Sequence, residues 1–135
     1  PSAKNFQAVK VFILQSEEAL KKAELCTVCR FKAPVMFLFT YDKDNEYRNP
    51  EEVENHSGVQ DVSIMATQMM LEASNLGLGT CWINKFSIAK TKEVFKLPDN
   101  LQPVLFMDLG YPDEKAVISE RHNQRKEKEE IFSLI

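Results

Sequence analysis

The chain has 135 residues, 44% hydrophobic and 27% charged, with a formal net charge of −3. That is an ordinary globular mix, long enough to bury one core. It offers no global basic field to nucleic acid or an anionic membrane surface, and no apolar run approaches the length of a bilayer span.

The first stretch, PSAKNFQ (Pro1 to Gln7), carries no initiator Met and reads as a loop leading into a strand. VKVFIL, Val9 to Leu14, is rich in β-branched and aromatic residues and predicts that strand. Ser16 is placed to N-cap a helix running to about Leu25, with Glu17 and Glu18 in its first turn. APVMFLFTY, Ala33 to Tyr41, is nearly continuous apolar sequence, as in a strand buried on both faces. The polar stretch from Asp42 to Gly58, with Pro50 inside it, predicts a long surface loop with a helical turn after Pro50.

Asp61 is expected to cap the strongest helix. Val62, Met65, Ala66, Met69, Met70, Ala73 and Leu76 recur at helical spacing, and Gly77 suits a left-handed C-cap. GTCWI, Gly79 to Ile83, predicts a short strand. Ser87 caps another helix with Ile88, Val94 and Phe95 facing inward and Pro98 just beyond its end. PVLFMDLGY, Pro103 to Tyr111, predicts a further buried strand closed by Gly110 and Pro112. From Asp113 the sequence is charged until IFSLI, which reads as an extended arm docking its apolar residues elsewhere or as a frayed terminus. Strands alternating with helices around one sheet indicate an α/β or α+β class.

Few residues suggest chemistry by themselves. Cys26 and Cys29 form a lone CxxC among three cysteines, without the second ligand pair of a structural zinc site. The pair follows a helix-like segment, unlike a thioredoxin-type site, so all three read as ordinary reduced thiols in a cytoplasmic setting. The two histidines, His56 and His122, have no metal spacing and read as surface residues. Gly77 and Gly79 lie between a helix and a strand, the reverse of a dinucleotide fingerprint, and no P-loop occurs. Met65, Met69 and Met70 read as core. With no metal site and no nucleophile set, an enzyme built on this chain would rely on a bound organic cofactor.

Three stretches together resemble the flavin-dependent nitroreductase family. PSAKNFQ is similar to its P-S-x-x-N-x-Q segment. DVSIMATQMMLEASNLGLGTCWINKF is similar to its central helix and following strand. VFKLPDNLQPVLFMDLGYPDE is similar to its helix, Leu-Pro turn, final sheet strand and Gly-Tyr-Pro close. The matches fall in the family's order and cover most of the chain.

The resemblance implies an α+β fold, a mostly antiparallel sheet flanked by helices, with residues 1–135 forming one domain. It implies an intertwined homodimer in which the arm from 113 to 135 embraces the partner and FMN lies in each of two clefts between subunits. NAD(P)H reduces the flavin and leaves, and a nitroaromatic, quinone or similar acceptor is then reduced. Pro1, Ser2, Ala3 and Asn5 match FMN-contacting positions, with Gln7 a polar position near the same cleft. Trp82, Ile83, Asn84 and Lys85 match the strand end along the flavin ring, where a backbone N–H of Asn84 or Lys85 points at N5. Arg121 matches the basic residue near the FMN phosphate, with Arg125 as the fallback.

Some positions depart from the pattern. Ala8 and Val9 stand where Pro-Trp is common, Asn84 where Gly or Glu is common, and Ser119 where a second basic residue is frequent. The resemblance therefore does not carry ring-face contacts or acceptor shape over to this chain. Family members carry about thirty residues before this point, by resemblance, including an Arg-rich segment that grips the phosphate, so the chain is expected to be N-terminally incomplete. The alternative expectation is a flavin-poor or non-enzymatic remnant that dimerises without full FMN binding. Neither nucleic acid nor membrane is expected as a partner.

Overall fold

The computed structural model describes residues 1–135. Four strands, β1 (Val9–Leu14), β2 (Val35–Asp42), β3 (Gly79–Ile83) and β4 (Leu101–Gly110), form one antiparallel sheet in the order β1-β2-β4-β3. Three helices pack on it: α1 (Glu17–Glu24), α2 (Gly58–Asn75) and α3 (Ile88–Phe95). A short α4 (Lys128–Ile131) lies in the C-terminal segment. This is the expected α+β architecture.

The two strands read as continuous apolar runs are the central ones. Successive side chains on β2 and β4 point to opposite faces, and both faces are covered. On one face Leu14, Met36, Leu38, Ile83 and Phe106 pack against Leu20 and Ala23 of α1 and against Val94 and Phe95 of α3. On the other, Phe37, Phe39, Tyr41, Leu105 and Met107 pack against Val62 and Ala66 of α2. Met65, Met69 and Met70 border this second core, as their spacing predicts. Pro103 lies in β4 where it cannot donate to a ladder; the register shifts there, Phe39 pairing with Leu105 and Thr40 with Pro103, so that Val104 is left over as a bulge.

The helix ends follow local chemistry. Ser16 and Ser87 accept hydrogen bonds from the backbone of Ala19 and Lys90. Gly77, at φ 73°, ends α2 with the Leu78 N–H donating to Ala73 O at 2.8 Å and the Gly77 N–H to Ser74 O at 3.0 Å, a Schellman motif.

Three expectations need correction. Helix α2 begins at Gly58, not after Asp61, and Asp61 sits inside its first turn. No helix follows Pro50; the loop is instead pinned by a bridge between Arg48 and His56 and by the buried Glu46. Ile88 faces outward at 45% exposure, and Thr91 is the fully buried residue of α3. From Tyr111 onward every residue is exposed. No helix is long and apolar enough to cross a membrane.

Candidate functional site

Residues Pro1 to Gln7 form a folded loop rather than a loose end. A 3₁₀ turn spans Ala3–Asn5, and Lys4, Asn5 and Gln7 take left-handed backbone angles with φ of 47°, 60° and 56°. Such angles cost a non-glycine residue about 1 kcal/mol each, somewhat less for Asn. The compensation is local and tertiary. The Gln7 N–H donates to Ser2 Oγ at 3.0 Å, Gln7 Nε2 donates to Asn5 O at 3.2 Å, and the Ala3 N–H donates to Asp61 Oδ1 at 3.0 Å. The Lys4 ammonium lies 5.1 Å from the centre of the Tyr47 ring.

Pro1, Ser2, Asn5 and Gln7 line one cavity of about 360 Å³, together with Val9 and Met65. Ala3 does not line it. The lining offers neutral amide and hydroxyl groups and two apolar side chains, and no Lys or Arg.

A second group of expected residues is the end of β3. Trp82 Nε1 donates to Asn84 Oδ1 at 2.8 Å. The Thr27 hydroxyl donates to Lys85 O at 2.7 Å while accepting from the Cys29 N–H at 3.1 Å. The Ser87 N–H donates to Cys26 O at 3.0 Å. The strand end is thus fixed from several sides. The backbone N–H groups of Asn84 and Lys85 nevertheless donate to no protein atom. Two successive, positioned donors are left for a ligand or water. Ile83 is 3% exposed with its side chain in the core against α1 and α3, so only its backbone is available. Trp82 packs at the margin of the α2 face.

The sheet order determines how these groups relate. Val9 pairs with Tyr41, and Tyr41 with Gln102; Ile83 pairs with Phe106, and the chain beyond it runs toward that same end of the sheet. Both groups therefore lie at one end. They stand on opposite edges, three strand spacings or about 14 Å apart. Arg121 is exposed in a 3₁₀ turn over Glu120–Asn123, and Arg125 is exposed beside it. One chain brings Pro1, Ser2, Asn5 and Gln7 together, and Trp82 to Lys85 together. It does not bring these two sets to each other or to Arg121.

Several supporting residues were missed from the sequence. Asp61, 2% exposed, accepts from Ala3 and, through Oδ2, from the Ser57 hydroxyl at 2.8 Å. Glu46, 6% exposed, accepts from the Gly58 N–H at 3.0 Å, lies 2.7 Å from His56 Nδ1 and pairs with Arg48 at 3.2 Å. His56, expected on the surface, is thus part of the structure that starts α2. Sequence spacing could not reveal the bonds of Asp61 to Ala3 and of Glu46 to His56 and Gly58, because those partners come from separate segments.

The cysteines are free. Burial pushes the Cys26 thiol up, and burial together with the charge of Asp108 pushes the Cys81 thiol up, so neither is an activated nucleophile. Asp108 is itself buried on β4 with neither carboxyl oxygen hydrogen-bonded; burial raises it to about 7, with Arg30 opposing.

A sequence model described as the Nitroreductase family matches residues 30–111. No curated protein matches the chain. Among solved structures the chain is similar to a nitroreductase family protein from Clostridium difficile 630, with 32% identity over 98% of this chain and 77% of that one and a TM-score of 0.90. It is also similar in fold to a nitroreductase family protein from Streptococcus pneumoniae TIGR4, with 22% identity, 100% and 82% coverage and a TM-score of 0.78. An FMN-dependent nitroreductase from Clostridium difficile R20291 aligns with 22% identity, 99% and 79% coverage and a TM-score of 0.71.

Proposed function

The chain belongs to the nitroreductase family, and from that premise we propose that it serves an FMN-dependent oxidoreductase using NAD(P)H to reduce nitroaromatics, quinones or similar acceptors. The observation that carries this reading is the end of β3, where the Asn84 and Lys85 N–H groups are held in place and left without protein partners. When bound, FMN supplies the two-electron chemistry, taking electrons from NAD(P)H and passing them to the acceptor. The chain's part is to bind, orient and exclude.

The donor set suits the cofactor in two of its three portions. Trp82, Ile83, Asn84 and Lys85 would hold the ring edge through backbone donors, which fix a planar group without a flexible side chain. Pro1, Ser2, Asn5 and Gln7 would hold the ribityl side and ring margin through their polar groups, while Ala3, which does not line the cavity and whose N–H is taken by Asp61, would only shape the turn between them. The phosphate needs charge-assisted donors, and no Lys or Arg side chain lines the cavity beside Pro1. Arg121 is the residue that would supply one, with Arg125 beside it.

A homodimer reconciles these separated groups. The loop of one subunit would face the strand end of the other, and residues 113–135 would reach across as an arm. Apolar surface supports this: Ile64 and Leu71 on α2 are 41% and 67% exposed, and Ile131, Phe132, Leu134 and Ile135 are exposed in the arm. A cytoplasmic, single-domain protein without nucleic-acid or membrane partners completes the reading.

The test is an FMN titration followed by NAD(P)H oxidation with a quinone acceptor. Stoichiometric FMN binding and acceptor-dependent NAD(P)H oxidation are expected. A dimer that forms but leaves flavin fluorescence unchanged would favour the flavin-poor alternative.

A further inference from the structure

We infer that Asp61 is a positioning residue for the cofactor loop: its carboxyl group fastens Pro1–Gln7 to the first turn of α2 and so sets the affinity for FMN. The inference rests on the FMN reading above and adds a residue that touches no ligand.

Three features of the geometry carry it. The loop holds three non-glycine residues, Lys4, Asn5 and Gln7, in the left-handed region, a conformation a free segment would not keep. Two of the hydrogen bonds that hold it, Gln7 to Ser2 and Gln7 to Asn5, lie within the loop and cannot place it relative to the sheet. The hydrogen bond that leaves the loop, from the Ala3 N–H to Asp61 Oδ1, ties it to the body of the protein, alongside the contacts of Lys4 and Phe6 with the Tyr47 ring.

Asp61 is suited to that task. It is 2% exposed and both oxygens are engaged, Oδ1 by Ala3 and Oδ2 by Ser57, so its orientation is determined from two directions. The helix that carries it is anchored by Val62 and Ala66, each fully buried, and its first N–H is held by Glu46. Met65, one turn further along, lines the same cavity as Pro1, Ser2, Asn5 and Gln7. A single rigid helix therefore presents both a wall of the cavity and the anchor of the loop opposite. Preorganising a binding loop raises affinity because the ordering cost is met before the ligand arrives.

The test uses FMN fluorescence quenching on wild type, Asp61→Asn, Asp61→Ala and Ala3→Pro. Asp61→Ala should raise the FMN Kd about tenfold or more, equivalent to about 1.4 kcal/mol. Asp61→Asn should remain within about threefold, because its Oδ1 still accepts from Ala3 and the Ser57 hydroxyl can turn to accept from the amide. Ala3→Pro removes the donor from the loop side. Ser2 is already extended at φ −143° and ψ 156°, and the first residue of a turn accepts Pro. It should weaken FMN as Asp61→Ala does, and it carries the test if Asp61→Ala does not fold. In the flavin-free protein, amide exchange at Ala3 should be slow in wild type and Asp61→Asn and fast in Asp61→Ala. Wild-type affinity in a folded Asp61→Ala or in Ala3→Pro overturns the inference and leaves the FMN reading standing. A wild-type protein that binds no FMN overturns both.

Discussion

The hydroxyl of Thr27 donates a 2.7 Å hydrogen bond to the carbonyl of Lys85, 58 residues further along the chain. Thr27 is 5% exposed, and the same oxygen accepts from the Cys29 N–H. Thr27→Val keeps the shape but leaves the Lys85 carbonyl and the Cys29 N–H, both in part-buried contacts, without this partner. We expect a loss of about 1–3 kcal/mol in urea denaturation, with Thr27→Ser close to wild type. Equal unfolding midpoints for Val and Thr would show that the bond is not needed to hold the strand end.

Asp108 gives the protein a pH dependence of definite sign. Its carboxyl is raised to about 7 by burial against an ordinary value of 3.8, so the folded state retains a proton that the unfolded state has released. Between those values stability falls as pH rises, and above about 7 the cost is complete. Asp108→Asn removes the titration. The stability gap between variant and wild type should move by about 2–4 kcal/mol in the variant's favour from pH 4.5 to pH 8. A gap that stays constant across that range would refute the assignment.

Gly58 tolerates no side chain. A Cβ there would overlap the Tyr41 ring and stand 2.6 Å from Glu46 Oε2. Gly58→Ala should cost about 1–3 kcal/mol by overpacking. Glu46→Ala, which strips the Gly58 N–H and His56 of their shared acceptor, should cost at least as much. Thermal melts of the two variants and their double mutant check both the size and the coupling. Fully additive effects would mean the two do not act on one contact.

Trp82 is the chain's single tryptophan, so intrinsic fluorescence reports the strand end directly. Its indole is held by Asn84 Oδ1. Asn84→Ala should shift the emission and leave the fold intact, with a stability change of about 1 kcal/mol or less. If FMN lies along Trp82, adding it to wild type should quench that emission in step with flavin binding. Flavin binding without any change at Trp82 would place the ring elsewhere.

What was legible in the sequence was local. The strand Val9–Leu14, the caps at Ser16 and Ser87 and the left-handed Gly77 each arise from neighbours within one turn of chain, and all appear as predicted. The start of α2 was placed too late because its first N–H is satisfied by Glu46 from a separate loop. Ile88 was expected inward from periodicity alone, yet Thr91 takes the buried position because its hydroxyl bonds Ser87 O at 2.7 Å. The candidate site divides the same way. The positions expected to contact a cofactor could be matched to a motif, whereas Asp61 and Thr27 act through bonds spanning 58 residues each, which no spacing encodes.

The opposite-edge placement of the loop and the strand end has a genetic consequence. If each cleft combines the loop of one subunit with the strand end of the other, two differently damaged alleles can rescue each other. A chain crippled at Asn5 and a chain crippled at the Asn84–Lys85 backbone would each be inactive as a homodimer. Coexpressed, they form mixed dimers in which one cleft carries both lesions and the other carries neither. Random pairing would restore about one cleft in four, from two inactive parents.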